Sequence, residues 1–165
     1  ETSTAGQIPA PQQGFLAPDF ELKTPTGESV KLSDLRGRAV LVNLWATWCP
    51  PCKAEMPTLK KFHDAHSTEG FTIIAVDAGE GKEEVLQFAN SLGLTFPIWL
   101  DPEGAALNAF KNGSLPNSYV IDRSGTDDGF NLNTPGIWSV PEPATIATMS
   151  LGLGILLLAA KRRKS

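Results

Sequence analysis

Cys49 and Cys52 are the two cysteines of this 165-residue chain, and they stand two residues apart in "TWCPPC". Whatever they do, they do with each other or with a partner. The reactive form in disulfide exchange is the thiolate, so the first question is what would stabilise a charged sulfur here. The flanking sequence answers it. "AVLVNLWA" (39–46) reads as an unbroken apolar run of strand length, and a helical pattern follows from about Pro51 to Ala65. Cys49 therefore falls near a helix N-terminus, where free N–H groups and the positive dipole end favour an anion. Proline is well accommodated in a first helical turn, so Pro50 and Pro51 leave the helix start intact and stiffen the spacer. Cys52 lies three residues on, close enough to close a small ring with Cys49. The spacing provides an attacking sulfur and an internal resolving one.

Two other chemistries fit two cysteines. A purely structural bridge over two intervening residues removes little loop entropy and stabilises weakly. A metal site draws notice because His63 and His66 follow, giving C-x2-C-x10-H-x2-H. That spacing falls short of a zinc finger at both its x10 and its final x2. His63 and His66 read instead as solvated residues on the far part of the helix. A strand–helix–strand setting favours redox use of the pair, with no metal and no cofactor required.

The elements that must position this pair follow from hydrophobic patterning. "FELK" and "SVKL" alternate apolar and polar around "TPTGE", which predicts a short hairpin. "FTIIAVDA" (71–78) reads as a second buried strand. "KEEVLQFANSLG" (82–93) has apolar positions at 85, 86, 88, 89 and 92 and ends on glycine, the pattern of a capped amphipathic helix. "LTFPIWLDPEGAALNAFKNGSLP" gives a short strand, a turn, a short helix and a loop, and "SYVIDRSG" (118–125) a third clear strand. Strands alternating with helices imply right-handed crossovers and an α/β domain with a mixed, mostly parallel sheet. Beyond Gly125 the pattern fails, and at most "GFNLN" reads as a strand.

Charge is uneven along the chain. Residues 1–160 carry all 18 acidic groups and 10 basic ones, a balance of −8, and "KRRK" at 161–164 brings the total to −4. An acidic body argues against nucleic acid as the partner. The first 14 residues are polar and rich in Pro and Gly, as in a flexible leader. The chain begins with Glu1 and shows no signal-peptide pattern, so it reads as a processed product. Residues 144–160 contain no charge and no polar face, and 17 residues span about 25 Å of helix, slightly short of a hydrocarbon core. With the basic tail at 161–165 held cytoplasmic, a membrane segment there would put the domain on the far side.

"WATWCPPCKAEMP" resembles the active site of the TlpA/ResA-like thiol–disulfide oxidoreductases of the thioredoxin superfamily. "APDFELKTPTGESVKLSDLRGRAVLVNLWA", "IIAVDAGEG" and "SLPNSYVIDRSG" resemble the same group, so the likeness covers about residues 15–125. It implies a thioredoxin-like domain in which Cys49 is the nucleophile and Cys52 the resolving cysteine. Trp48 would shape the surface beside the pair, and Glu55 matches a partly buried carboxylate that manages protons at the cysteines. Pro57 matches a proline that kinks the helix. Pro116 matches a loop proline, preceded by a cis peptide bond, that faces the disulfide. Leu115 would offer backbone groups to an incoming peptide. Members continue after "YVIDRSG" into a last strand and a closing helix, where this chain has "TDDGFNLNTPGIW" (126–138).

"VPEP", the apolar stretch and "KRRK" together resemble the PEP-CTERM sorting signal of Gram-negative bacteria. That likeness divides the chain into a leader (1–14), the domain (15–125), a linker holding "VPEP" (126–143), an anchor or sorting segment (144–160) and the basic tail. The combined expectation is an extracytoplasmic thiol–disulfide oxidoreductase at the periplasm or cell surface. Its partners would be protein thiols and disulfides, with apocytochrome c a class the resemblance admits, a membrane electron donor and an exosortase-type processing enzyme. Two alternatives stand beside it. "APDF…LSDLRG" also occurs in peroxiredoxins, and a surface-displayed scaffold with a vestigial site would need no chemistry.

Overall fold

The computed structural model describes residues 16–131. In chain order the elements are β1 (Glu21–Lys23), β2 (Ser29–Lys31), β3 (Ala39–Trp45), α1 (Pro50–His66), β4 (Phe71–Asp77), α2 (Lys82–Leu92), β5 (Ile98–Leu100), α3 (Ala105–Ala109), β6 (Asn117–Ile121) and β7 (Asp127–Asn131). Among the described residues they form one sheet in the order β2-β1-β5-β4-β3-β6-β7. The hairpin and the helix bounds agree with the patterning.

The sheet is mixed, but parallel pairing does not predominate. Only β3–β4 and β4–β5 are parallel. The β1–β2, β1–β5, β3–β6 and β6–β7 pairs are antiparallel. Two helical crossovers produce the two parallel pairs, and the hairpins at either end add antiparallel edges. The one segment past Gly125 that reads as a strand, "GFNLN", overlaps β7 (Asp127–Asn131). β7 pairs with β6 through Tyr119↔Asn131 and Ile121↔Asp127, with a register shift between them. Its sequence, "DDGFN", is polar and contains glycine, so it carries little strand signal. The stretch read as a linker from 126 thus begins with a sheet strand. The leader at 1–14, "VPEP", the apolar run at 144–160 and the tail at 161–165 lie outside the described residues.

All seven residues of β3 and all seven of β4 are buried, as covering on both faces requires. Alternation then divides their side chains. Val40, Val42 and Leu44 of β3, with Ile74 and Val76 of β4, join Phe20, Leu22, Trp99, Phe110 and Tyr119 in one apolar core. Phe110 and Tyr119 stack there with ring centroids 3.9 Å apart. The odd-numbered residues Leu41, Asn43, Trp45, Ile73, Ala75 and Asp77 take the other face, where Trp45 meets Phe88 of α2 at 5.3 Å. α1 buries Cys52, Met56, Leu59 and His63, a stripe at helical spacing. His63 is therefore not solvated. Its ring meets Phe96 edge-on, and burial lowers its pKa. The "unbroken" apolar run at 39–46 needs correction too, because Asn43 is polar and fully buried within it.

Since the seven strands of the described residues end by Asn131, a chain ending near Trp138 should stay soluble and unfold in one cooperative thermal transition. Loss of that transition would mean that residues after 138 supply needed cover for the sheet.

Candidate functional site

β3 delivers the chain to the cysteines at its C-terminal end. Strand order reverses there, β4 and β5 lying on one side of β3 and β6 on the other. Open α/β sheets place their sites at such a switch point. After Trp45 the chain turns through Ala46–Trp48, and the Cys49 N–H donates to the Ala46 carbonyl at 3.3 Å. Cys49 is the N-cap of α1, with φ −94° and ψ 104°, and Pro50 and Pro51 follow as the first helical residues. Proline costs nothing there because those N–H groups have no partner inside the helix. The Cys52 N–H donates to Cys49 Sγ at 3.3 Å. The two sulfurs are joined as a disulfide, with the Cα atoms 5.3 Å apart. Cys49 is 3% exposed and Cys52 fully buried.

The other sequence-derived residues surround this pair unequally. Trp48 is 66% exposed, the one large apolar side chain left outside among the described residues. The Leu115–Pro116 peptide bond is cis. Leu44↔Asn117 is the last pair of the β3–β6 ladder, so Pro116 stands one step beyond it, at the end of β3 where the cysteine loop begins. Leu115 and Pro116 are both half-buried, and Leu115 packs on the apolar core. Pro57 lies inside α1 on its exposed side.

Glu55 lies one helical turn beyond Cys52, beside the buried stripe, and is half-buried. Asn43 Nδ2 donates to Glu55 Oε1 at 2.8 Å and to Ser118 Oγ at 2.9 Å. The β3–β6 register sets Asn43 opposite Ser118, so a polar line runs from β6 through β3 to α1. Burial pushes the Glu55 carboxyl up to about 7, against the opposing pull of the Asn43 hydrogen bond. Sequence reasoning missed Asn43 and Ser118. The available signal was one amide inside an otherwise apolar strand, which burial obliges to find partners.

A second group of acids, also missed, lies under the loop. Asp77 ends β4, opposite Trp45 in the ladder, and is fully buried. Its Oδ2 accepts the Glu80 N–H at 2.8 Å. The Glu80 carboxylate in turn accepts both the backbone N–H and the hydroxyl of Thr47, two residues before Cys49. Burial raises the Asp77 pKa above the ordinary carboxylate range, and the nearby Glu80 and Asp101 carboxylates act in the same direction.

Comparison with known proteins agrees with this architecture. The family model described as the AhpC/TSA family matches residues 14–126, and the PEP-CTERM protein-sorting motif matches residues 139–164. The thiol-disulfide oxidoreductase ResA of Geobacillus kaustophilus is 44% identical over 112 residues, covering 68% of this chain and 64% of that protein. The thioredoxin-like protein YneN of Bacillus subtilis is 39% identical over 127 residues, covering 74% of this chain and 73% of that protein. A crystal structure of a thiol:disulfide interchange protein of the thioredoxin family from Chlorobium tepidum superposes with a TM-score of 0.65 at 28% identity. That match covers 78% of this chain and 90% of the other. The fold is thioredoxin-like.

The buried acid makes a prediction about stability. Between about pH 4.5 and about 7, Glu55 is ionised in the unfolded chain but still protonated in the fold. Its contribution to stability is therefore full below that window and falls as pH rises through it. Glu55→Gln should flatten the decline of the urea midpoint across this window. An identical slope in the variant would show that the carboxyl ionises in the fold as it does in water.

Proposed function

We propose that this chain, which belongs to the AhpC/TSA family, is a thiol–disulfide oxidoreductase that exchanges disulfides with protein substrates through Cys49 and Cys52. The observation that carries the reading is the sulfur of Cys49 at the N-cap of α1, accepting the Cys52 N–H beside a disulfide partner. A thiolate at that position gains from the helix end and the N–H together.

In the reducing direction the Cys49 thiolate attacks one sulfur of a substrate disulfide. A mixed disulfide forms, and the other substrate sulfur leaves as a thiolate and takes up a proton. Cys52, deprotonated, then attacks Cys49 Sγ, which closes the Cys49–Cys52 bond and releases the second substrate thiol. Two electrons pass to the substrate, and a membrane electron donor must return them. Glu55 serves as the acid–base group: with its pKa near neutrality it accepts the Cys52 proton during closure and returns it on reduction. Trp48 and the Leu115–Pro116 segment form the docking edge, where Leu115 offers backbone groups to an extended peptide. Apocytochrome c thiols are one substrate class compatible with such an edge.

The sorting motif supports an extracytoplasmic location, at the periplasm or cell surface. An exosortase-type enzyme would act at "VPEP", with residues 144–160 as the membrane segment and 161–165 as its cytoplasmic stop.

Role assignment can be tested by trapping. Cys52→Ser should accumulate mixed disulfides with insulin or glutathione, because nothing resolves them. Cys49→Ser should trap nothing, and each variant should reduce insulin at background rate. Trapping by Cys49→Ser instead would reverse the roles, and wild-type inactivity on insulin with rapid peroxide consumption would replace this reading with a peroxidase.

A further inference from the structure

The acids beneath the cysteine loop have no place in the exchange chemistry, yet their hydrogen bonds end on it. Thr47 is the middle residue of the turn Ala46–Trp48. Both its donors, N–H and Oγ–H, are taken by the two oxygens of Glu80. Glu80 is fixed from below, its own N–H donating to Asp77 Oδ2. The turn has other backbone ties, since the Cys49 N–H donates to the Ala46 carbonyl and the Ala78 N–H to the Trp45 carbonyl. No other side chain holds Thr47 among the described residues.

We infer that Glu80 is a positioning residue for Cys49, clamping the loop through Thr47, and that Asp77, which accepts the Glu80 N–H from beneath, governs how firmly the clamp holds. The inference rests on the oxidoreductase reading for its importance, though not for its geometry.

Chemistry supports the second half. The Asp77 and Glu80 carboxyls lie against each other, and Asp77 Oδ1 meets no N–H or O–H donor among the described residues. Two carboxylates in contact repel, whereas one proton between them turns the contact into an attraction. The groups that bear on Asp77 are Glu80 itself, from the β4–α2 turn, and Asp101, from the end of β5. Asp101 is occupied elsewhere, accepting the N–H groups of Ala105 and Ala106 at 2.6 and 2.9 Å. Among the described residues the charged groups that bear on the pair are acidic, so a proton on Asp77 relieves it. Ionisation of Asp77 at higher pH sets its charge against Glu80 and loosens the hold on Thr47. A looser turn lets Cys49 drift from the Cys52 N–H, which raises the thiol pKa and reduces the thiolate present at neutral pH.

The test uses the reduced full-length chain and two readouts. The first is the rate of Cys49 alkylation by iodoacetamide from pH 5 to 9. Glu80→Ala, which removes both acceptors, should lower the rate at pH 7 by about tenfold, equivalent to a one-unit rise in thiol pKa, and Thr47→Val, which removes the hydroxyl contact alone, by less. The double variant should be no slower than Glu80→Ala, because the hydroxyl contact is already lost with the carboxylate. Thr47→Ser keeps the hydroxyl and should restore the wild-type rate. The second readout is hydrogen exchange of the Thr47 amide. Wild type should protect it at pH 6 and lose protection by pH 9, whereas Asp77→Asn should protect it throughout. Additive slowing in the double variant, or no slowing in either single, overturns the clamp. Protection that is unaffected by pH in wild type overturns the role of the Asp77 proton. Neither readout needs turnover, and insulin reduction by wild type reports separately on the redox reading.

Discussion

Asn43 is a polar side chain at the centre of a strand covered on both faces, and a buried amide left unpaired costs about 1–3 kcal/mol. That constraint organises much of the molecule. Strand alternation sends Asn43 to the helical side of the sheet, away from Val42 and Leu44, so its two N–H groups must be met by α1 or by a neighbouring strand. Both answer: Glu55 from the helix and Ser118 from β6. The antiparallel register that puts Ser118 opposite Asn43 also carries Pro116 to the end of β3. Fixing one amide thus fixes the lateral position of β6 and the rotation of α1 about its axis. The second of these determines where Cys52 faces.

Magnitudes decide the state of the acids in this arrangement. Moving a carboxyl pKa from 4.5 to about 7 reflects about 3 kcal/mol of differential interaction. A single hydrogen bond contributes about 0.5–1.5 kcal/mol net. The Asn43 bond therefore lowers the Glu55 pKa without overcoming burial, and Glu55 is left near the midpoint of its titration at neutral pH. A carboxyl in that condition passes protons in either direction at little cost. At the cysteine end the balance runs the other way, since the helix terminus favours charge by about 0.3–1 kcal/mol or somewhat more when partly buried. Negative charge is favoured at Cys49 and disfavoured one turn past Cys52, within a single helix.

Much of this was legible in the sequence, and the exceptions have a common cause. The cysteine pair, its helix, the buried strands and the hairpin follow from local pattern, because each is encoded by residues adjacent in the chain. The residues that were missed act across long sequence separations. Asn43 pairs with Ser118, 75 positions away, and Thr47 with Glu80, 33 away. Asp77 passed as part of the apolar strand read at 71–78, and only the packing around it reveals a buried acid whose Oδ2 takes the Glu80 N–H while Oδ1 meets no donor among the described residues. His63 was misread for the same reason, since the Phe96 that buries it lies beyond another strand and helix. β7 was legible in part, as "GFNLN". Its polar composition suits an outer strand that needs little apolar surface, so its start at Asp127 and its pairing with β6 escape a search for hydrophobic alternation.

Access ranks the two sulfurs. Cys52 is wholly enclosed and Cys49 retains 3% of its surface, so Cys49 is the more accessible of the two. The approach is not open on all sides, because the exposed ring of Trp48 and the turn before it border the N-cap. The loop that presents Trp48 is the one whose Thr47 is tied to Glu80. Whatever sets the stiffness of that turn therefore sets the position of Cys49 and of the apolar surface beside it together. A rigid turn holds both in one relation, and a loose one would present neither in a fixed relation to the other. The buried acids under the loop and the exposed ring above it are joined in this way through a single threonine. The PEP-CTERM motif match at 139–164 shares no residue with this arrangement.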